Sequence, residues 1–304
     1  MTKVSNKKIL AIVVTYNRKE LLLECIDSLL NQDYKDLDIL IVDNNSSDGT
    51  SDVVKKNYKN NNRIIYKNTH KNLGGAGGFN FGIKTGVLLK YDYLWLMDDD
   101  TIVKNNSLTK LLNADKELNG NYGFLSSKVL WTDNNICKMN EQKIYKNSKY
   151  NTKNLLHTYY ATFVSFFIKS EVVKEVGLPI KDFFIWGDDV EYSGRIDKKY
   201  KCFVVNDSIV IHKTSSNTGS NIAIDNERID RYKYAYRNEV YIARHNGLKG
   251  RLRQFLKINY HIIRVLFKSK KNKFKKIKII INNSIAGIRF NPSIEYIGDQ
   301  NEKD

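Results

Sequence analysis

Four times in its first hundred residues the chain passes from a short aliphatic, β-branched run into a stretch with helical spacing, and that alternation admits few folds. The first run, ILAIVVT from Ile9 to Thr15, is apolar without interruption, which is the composition of a strand covered on both faces rather than of one that wets a side. Asn17 then opens the helical stretch RKELLLECIDSLLNQ, in which Leu22, Ile26, Leu29 and Leu30 recur at helical spacing. DILIV (Asp38 to Val42) is the second run and ends in the polar turn DNNSSDGT. A short helix is expected over Thr50 to Tyr58 and a third strand over Arg63 to Tyr66. The loop KNLGGAGG precedes a helix from Phe79 to about Lys90, and the fourth run is YLWLM, from Tyr93 to Met97. Strands that alternate with helices predict a parallel sheet in a doubly wound α/β fold, because a parallel neighbour is reached only through a crossover.

Past Leu125 the pattern loosens. Thr158 to Ile168 (TYYATFVSFFI) reads as one further strand, and Ser170 caps a short helix ending at Gly177. FFIWGDDVEYSGRID reads as a loop running into a helix, and CFVVNDSIVIH (Cys202 to His212) as a strand pair. From Asp225 to Phe290 the character is helical, aromatic and basic. The expected organisation is a mixed, mainly parallel α/β domain over residues 1–225 and a helical, basic region over 226–304, since 304 residues exceed the usual size of one domain.

Composition narrows the partners. The formal net charge is +17, which invites a nucleic-acid reading, but seventeen of the fifty Lys and Arg lie between Arg231 and Arg289 beside one acid, Glu239, so the rest is almost neutral. Cys25, Cys137 and Cys202 form no CxxC or CxxH spacing, against a disulfide framework or a structural zinc site. The polar start MTKVSNKK is no secretory signal, and no run reaches the length of a spanning helix. A cytoplasmic protein, or one on the inner face of the membrane, is expected.

The fourth strand ends abruptly in Asp98, Asp99 and Asp100. Carboxylates at the carboxyl end of a strand sit where open α/β sheets bind ligands. Side chains alternate along a strand, so Asp98 and Asp100 can face one divalent cation while Asp99 points elsewhere. A solvated acidic turn is the plain alternative. The first strand delivers Thr15, Tyr16 and Asn17 to the same edge, and the second delivers Asp43, whose carboxylate can accept from a base or ribose, or simply open an Asx turn. The loop Asn72 to Gly78 puts four glycines before a helix, where backbone can approach an anion. It fits neither GxGxxG, since Asn80 stands at the third position, nor a Walker loop. WGDDVE, Trp186 to Glu191, offers a second acidic pair: one acid can act as general base, or the pair can cap a helix. His212, at a strand end, could supply a third metal ligand or be an ordinary surface histidine. A dehalogenase-type phosphatase is disfavoured, because Ile102 fills the place its DxDx(T/V) motif requires.

Taken in order, VVTYNR, VDNNSSDGT, NLGGAGGFNFG, WLMDDDT, FFIWGDDVEY and IHK resemble the inverting family 2 glycosyltransferases of GT-A fold, most of all bacterial galactofuranosyltransferases and their rhamnosyltransferase relatives. The resemblance spans about residues 9–213, with a weaker echo in RYKYAYRNEVYIARHNG. It implies that Asp98, Asp100 and His212 hold Mn²⁺ or Mg²⁺ and that Asp99 contacts the sugar nucleotide. Thr15, Asn17 and Asp43 would border base and ribose, while Asn72, Gly74, Gly75 and Gly78 line the donor pocket. It implies Asp189 as base, with Asp188 as the alternative, because Gly187 is an extra residue between the tryptophan and the acids. The implied donor is UDP-galactofuranose, or dTDP-rhamnose, and the implied acceptor a hydroxyl of a lipid-linked glycan in surface-polysaccharide assembly. A nucleic-acid-binding protein is the competing class, suggested by tyrosines among Arg and Lys at Tyr232 to Arg244; it leaves DDD, WGDD and His212 without a role.

In the basic region Leu252, Phe255, Leu256, Tyr260, Ile263, Leu266 and Phe267 recur at helical spacing with Arg253, Lys257, Arg264 and Lys268 between them, followed by KSKKNKFKKIK. Such a helix is expected to lie on an anionic membrane surface, or to pack in the protein or against a second copy.

Overall fold

The computed structural model describes residues 7–298; the polar stretch MTKVSN and the last six residues of the basic region lie outside the described residues. Strand β1 (Ile9–Thr15) is central, with β2 (Leu37–Asp43) and β4 (Tyr93–Asp98) parallel on either side and β3 (Ile64–Asn68) beyond β2. Its uninterrupted apolar sequence is explained by its two faces. Ile9, Ala11 and Val13 pack with Leu22, Cys25, Ile26 and Leu29 of α1 (Lys19–Leu30), whereas Leu10, Ile12 and Val14 pack with Phe79, Ile83 and Val87 of α3 (Gly74–Leu88). Between them in sequence lies α2 (Thr50–Tyr58).

Beyond β4 the sheet becomes mixed. Its order is β3-β2-β1-β4-β9-β6-β10-β8-β7, with β5 (Thr101–Val103) on β10. The further strands are β6 (Phe124–Leu130), β7 (Lys143–Ile144), β8 (Leu155–Tyr160), β9 (Phe166–Lys169) and β10 (Cys202–His212), and the helices α4 (Ser107–Glu117), α5 (Ser170–Val176) and α6 (Asp188–Asp197). β9 is antiparallel to β4 and β6, and β10 is parallel to β6.

Three expectations need correction. Thr158 to Ile168 is not one strand: β8 ends at Tyr160, and the chain turns through a left-handed Ser165 whose Oγ accepts from Trp95 Nε1 at 2.8 Å before β9 begins. Cys202 to His212 is one strand rather than two, bent by a register shift between Val205 and Ile209, so that its first half pairs β8 and its last three residues pair β5. The glycine segment is not a loop before a helix: Gly74 to Gly78 form the first turns of α3. Glycine is a poor helix former, yet a Cβ on Gly82 would come within 2.5 Å of Ile12 and one on Gly78 within 2.6 Å of Val14, so these positions let α3 lie close on the sheet.

The carboxyl-terminal region is α7 (Tyr232–His245), α8 (Gly247–Lys268) and α9 (Lys273–Arg289), packed on one another. Ile258, Ile262 and Val265 of α8 face a small core with Tyr232, Tyr236 and Ile280. The apolar stripe anticipated from the sequence is the other face. Leu252, Phe255, Leu256, Tyr260, Ile263 and Leu266 are exposed, as is Phe267 at 83% and, on the next helix, Phe274 at 89%. Among the described residues, no helix is long and apolar enough to cross a membrane.

Candidate active site

The parallel strands bring their carboxyl ends to one edge. Asp98 closes β4, whereas Asp99 and Asp100 lie in the turn that leads to β5, so the turn rather than the expected strand alternation separates the three aspartates. Asp98 and Asp100 offer carboxylate oxygens and His212, from the end of β10, a ring nitrogen, all within 4.8 Å of one another. His212 Nδ1 lies 2.7 Å from Asn140 Oδ1 and Nε2 2.8 Å from Asp100 Oδ1. Donation from Nδ1 to the amide oxygen turns Nε2 toward the carboxylates, the arrangement that orients a ligating histidine. Two hard carboxylates and an imidazole suit Mn²⁺ or Mg²⁺ as a donor set, and their spacing fits a single ion.

Burial and mutual repulsion dominate the electrostatics of this edge. Burial and then repulsion from Asp100 push Asp98 up to about 7, although His212 and Arg18 oppose the rise. Burial, against the attraction of Arg18, brings Asp99 up to about 6. Asp100 is held below its ordinary value: burial resists, but the His212 hydrogen bond and the charges of His212 and Arg18 prevail. Burial would lower His212, yet the hydrogen bonds to Asp100 and Cys137 and the neighbouring carboxylates lift it to about 10.

Arg18 was not anticipated as a site residue. Its Nη1 donates to Asp99 Oδ1 at 3.2 Å and to Asp100 Oδ2 at 2.8 Å, bridging the two acids from the mouth of the site. Its position in TYNR, three residues past a strand end, was the available signal. Thr15 Oγ1 donates to Asp99 Oδ2 at 2.7 Å, so Asp99 faces β1 and not the Asp98–Asp100 side.

The remaining anticipated residues hold the rim together. Asp43 is fully buried; it accepts from Ser46 N–H at 2.8 Å, the Asx turn that the sequence left open, and from the Tyr66 hydroxyl. Both carboxylate oxygens are therefore engaged within the protein. Asn17, at φ 54°, accepts from Ser47 N–H, and Asn72 accepts from Gly74 N–H. Of the three glycines anticipated in the donor pocket, Gly75 faces open space. Gly78 packs on Val14 and Asn44, and Gly74, at φ +69°, lies against the carbonyl of Phe184, where a Cβ would be 2.1 Å from the oxygen.

That carbonyl links the glycine helix to the second acidic pair. Phe184 O accepts from Ala76 N–H at 3.1 Å. Phe184, Trp186 and Gly187 all have positive φ, at 64°, 66° and 89°. Such a conformation is costly for the two aromatics, and for the residue that caps α6 it explains the extra glycine. Asn238 of α7 holds the segment: its buried Nδ2 donates to the carbonyls of Phe183 (3.0 Å), Ile185 (3.2 Å) and Trp186 (2.8 Å). This clamp was missed, and its only trace in the sequence was the aromatic, basic run around it.

Asp188 and Asp189 open α6 just beyond. Burial and the charge of Asp189 push Asp188 well above the carboxylate range. Burial also raises Asp189, but hydrogen bonds from Val190 N–H and Tyr160 restrain it to about 6. The Val190 bond is 2.8 Å and the Tyr160 hydroxyl is 3.4 Å away. Asp98 contributes to the rise of Asp188, so the two acidic groups sense each other across the edge.

A Rossmann-like sheet with a metal-competent acidic edge and a second, buried acid pair defines the architectural class. The chain belongs to glycosyl transferase family 2, whose domain matches residues 10–177. It is 26% identical over 197 residues to galactofuranosyltransferase GlfT1 of Mycolicibacterium smegmatis, covering 61% of this chain and 64% of that one. To poly(ribitol-phosphate) beta-N-acetylglucosaminyltransferase TarP of Staphylococcus aureus it is 29% identical over 263 residues, covering 77% and 74%. A shorter match, 36% over 111 residues, joins it to GalNAc(5)-diNAcBac-PP-undecaprenol beta-1,3-glucosyltransferase of Campylobacter jejuni, spanning about a third of each chain. The structure of S. aureus TarS superposes with a TM-score of 0.57 at 16% identity, over 93% of this chain and 44% of that one. This likeness is one of fold, the mainly parallel GT-A arrangement.

Proposed function

We propose that this protein is an inverting, divalent-metal-dependent glycosyltransferase that moves a sugar from a nucleotide-sugar donor to a hydroxyl of a lipid-linked glycan acceptor in surface-polysaccharide assembly. The observation that carries the reading is the juxtaposition, at one sheet edge, of the Asp98, Asp100 and His212 cluster with the buried Asp188–Asp189 pair. UDP-galactofuranose is the preferred donor, supported by the match to GlfT1. UDP-N-acetylglucosamine is the second, favoured by the longer match to TarP and by the TarS structure in complex with UDP-GlcNAc; dTDP-rhamnose is the third.

The chemistry needs two things from the chain. The acceptor oxygen attacks the anomeric carbon as the bond from that carbon to the diphosphate oxygen breaks, and the hydroxyl proton passes to a carboxylate. Asp189 is the base, because its hydrogen bonds restrain it to about 6 whereas burial and the charge of Asp189 push Asp188 well above the carboxylate range. Asp98, Asp100 and His212 would hold the Mn²⁺ or Mg²⁺, which would supply positive charge to the departing diphosphate. One displacement inverts the anomeric centre, so no enzyme nucleophile is required. Arg18, Asn17, Asn72 and Gly75 border the donor, with Asp99 oriented by Thr15 beneath it. Asp43 acts by shaping the turn that carries the rim.

The exposed stripe of α8, with Phe274 on α9 and the lysines between them, is the face that rests on an anionic inner leaflet. A second copy covering the stripe would instead appear as a dimer in solution. The primary test is release of nucleoside diphosphate from UDP-galactofuranose, UDP-N-acetylglucosamine, UDP-galactopyranose and dTDP-rhamnose, with Mn²⁺ or with EDTA. Metal-dependent turnover of one donor that is lost in Asp100→Ala names the sugar. Absence of turnover and of binding for every donor ends the transferase reading.

A further inference from the structure

Between the base-bearing helix and the exposed stripe lies a cleft that the catalytic chemistry has not used. Its outer part, about 570 Å³, is bounded by Trp186, Gly187 and Val190 on one side and by Lys249, Arg253 and Lys257 of α8 on the other. An inner part of about 300 Å³ shares Trp186, Ala235, Glu239 and Lys257 with it and continues to His261 and Arg264. The cations at 249, 253 and 257 fall four residues apart and so share one face of the helix.

Most of their charge is uncompensated. Glu239 is the only acid lining either part, and it is taken up by Lys257 Nζ at 2.8 Å and Gln254 Nε2 at 3.1 Å. Lys249 and Arg253 have no ion pair among the described residues, and Arg264 Nε is buried without a hydrogen-bond partner. A buried, unpaired guanidinium N–H is expensive and marks a place for an acceptor group. The field has a visible effect: burial, with Lys257 and Arg264, keeps His261 below its ordinary value although Glu239 opposes them.

We propose that this cleft binds the diphosphate of a polyisoprenyl-diphosphate-linked acceptor. Three features select that ligand. The free cations suit a multiply charged phosphate group, which arginine holds through charge-assisted hydrogen bonds. On the adjoining face of α8, Leu252 and Leu256 are exposed, so an apolar chain leaving the cleft meets the stripe that rests on the membrane. At the other end Gly187 caps α6 and Val190 lies in its first turn, so a sugar carried on the diphosphate is delivered to the helix that bears the base. The acceptor would thus be anchored by its phosphates and presented by its first sugars.

The inference rests on the transferase reading, and the test separates the two. Full-length protein is bound to phosphatidylcholine vesicles doped with undecaprenyl diphosphate, and to vesicles matched in surface charge with phosphatidylglycerol. UDP binding is measured on the same preparation. The wild type is expected to prefer the diphosphate vesicles, and Lys249→Ala/Arg253→Ala to lose that preference by about tenfold or more, since each charged contact is worth roughly that factor. Both positions are exposed, so an unchanged thermal midpoint verifies the fold, and Arg253→Lys should retain most of the preference. No preference in the wild type, or one that survives the double substitution, overturns the inference. Displacement by an equal concentration of free pyrophosphate overturns the lipid assignment, because it marks a site for soluble phosphate. UDP binding without any lipid preference defeats this inference alone; loss of both defeats the transferase reading as well.

Discussion

Replacing Gly82 by alanine tests the seating of α3 on the sheet, and with it the position of the whole donor rim. A Cβ at this position would stand 2.5 Å from Ile12 Cγ2 and 3.1 Å from Val42 Cγ2. Both neighbours are fully buried, β-branched residues on adjacent central strands, and neither has a flexible end that could move aside. Overpacking of this kind costs about 1–3 kcal/mol. Because both clashes are with rigid groups, the upper part of that range applies, about 2–3 kcal/mol. Alanine returns roughly 1 kcal/mol through its better helix propensity. The net is a loss of about 1–2 kcal/mol, which corresponds to a fall in midpoint of about 2–8 °C. Gly194, in the middle of α6, is the internal control: nothing lies within 4 Å of its added Cβ and it has no positive φ, so alanine there should raise the midpoint. Urea and thermal unfolding of both variants read the two signs. A Gly82→Ala protein as stable as the wild type would refute the close approach of α3 to β1.

The pH profile of transfer should show an acid limb near 6. Burial raises Asp189 to about that value, and the base must be ionised, so the rate falls about tenfold per pH unit below it; Asp189→Asn should lose about a hundredfold or more, with the limb gone. Mn²⁺ at a hundred times its dissociation constant should stabilise the fold by about 2.7 kcal/mol, read as a midpoint rise that disappears in Asp100→Asn; an equal rise in the variant would place the metal elsewhere. Phe255→Glu/Phe267→Glu should release the protein from anionic vesicles by about a hundredfold or more, since each inserted ring contributes about 1.5–3 kcal/mol. Unchanged flotation would mean that the α8 stripe is covered by protein.

The parts of the fold that were legible in the sequence are those whose physics repeats along the chain. β1 to β4 declare themselves because a doubly covered strand must be apolar at every position, and α1 because one face must be. The acidic ends of β4 and α6 and the histidine closing β10 were legible because their chemistry is local. What escaped depends on space. At the bend in β10 the polar residues Asn206, Asp207 and Ser208 interrupt its apolar pattern, so one strand read as two. The left-handed turn at Ser165 sits inside an apolar run and has no compositional mark. The glycines of α3 read as a loop open to an anion, although Gly78, Gly82 and Gly86 let the helix lie against Val14, Ile12, Val42, Leu10 and Leu94 of the sheet. Arg18 and Asn238 left only faint traces for the same reason: each acts across a gap in sequence, the first on residues about eighty positions away and the second on a segment more than fifty positions earlier.

The Asn238 clamp has a consequence for how such proteins can be recombined. The backbone that presents Asp188 and Asp189 is held in a left-handed path by a side chain of α7, from the carboxyl-terminal helices. Exchanging the carboxyl-terminal helices alone would therefore disturb Asp188 and Asp189 even if every residue of the sheet and its flanking helices were kept. A working hybrid must carry residues 182–187 and α7 from the same parent. The unit that positions Asp188 and Asp189 is thus discontinuous in sequence, joining the turn before α6 to a helix some fifty residues further on.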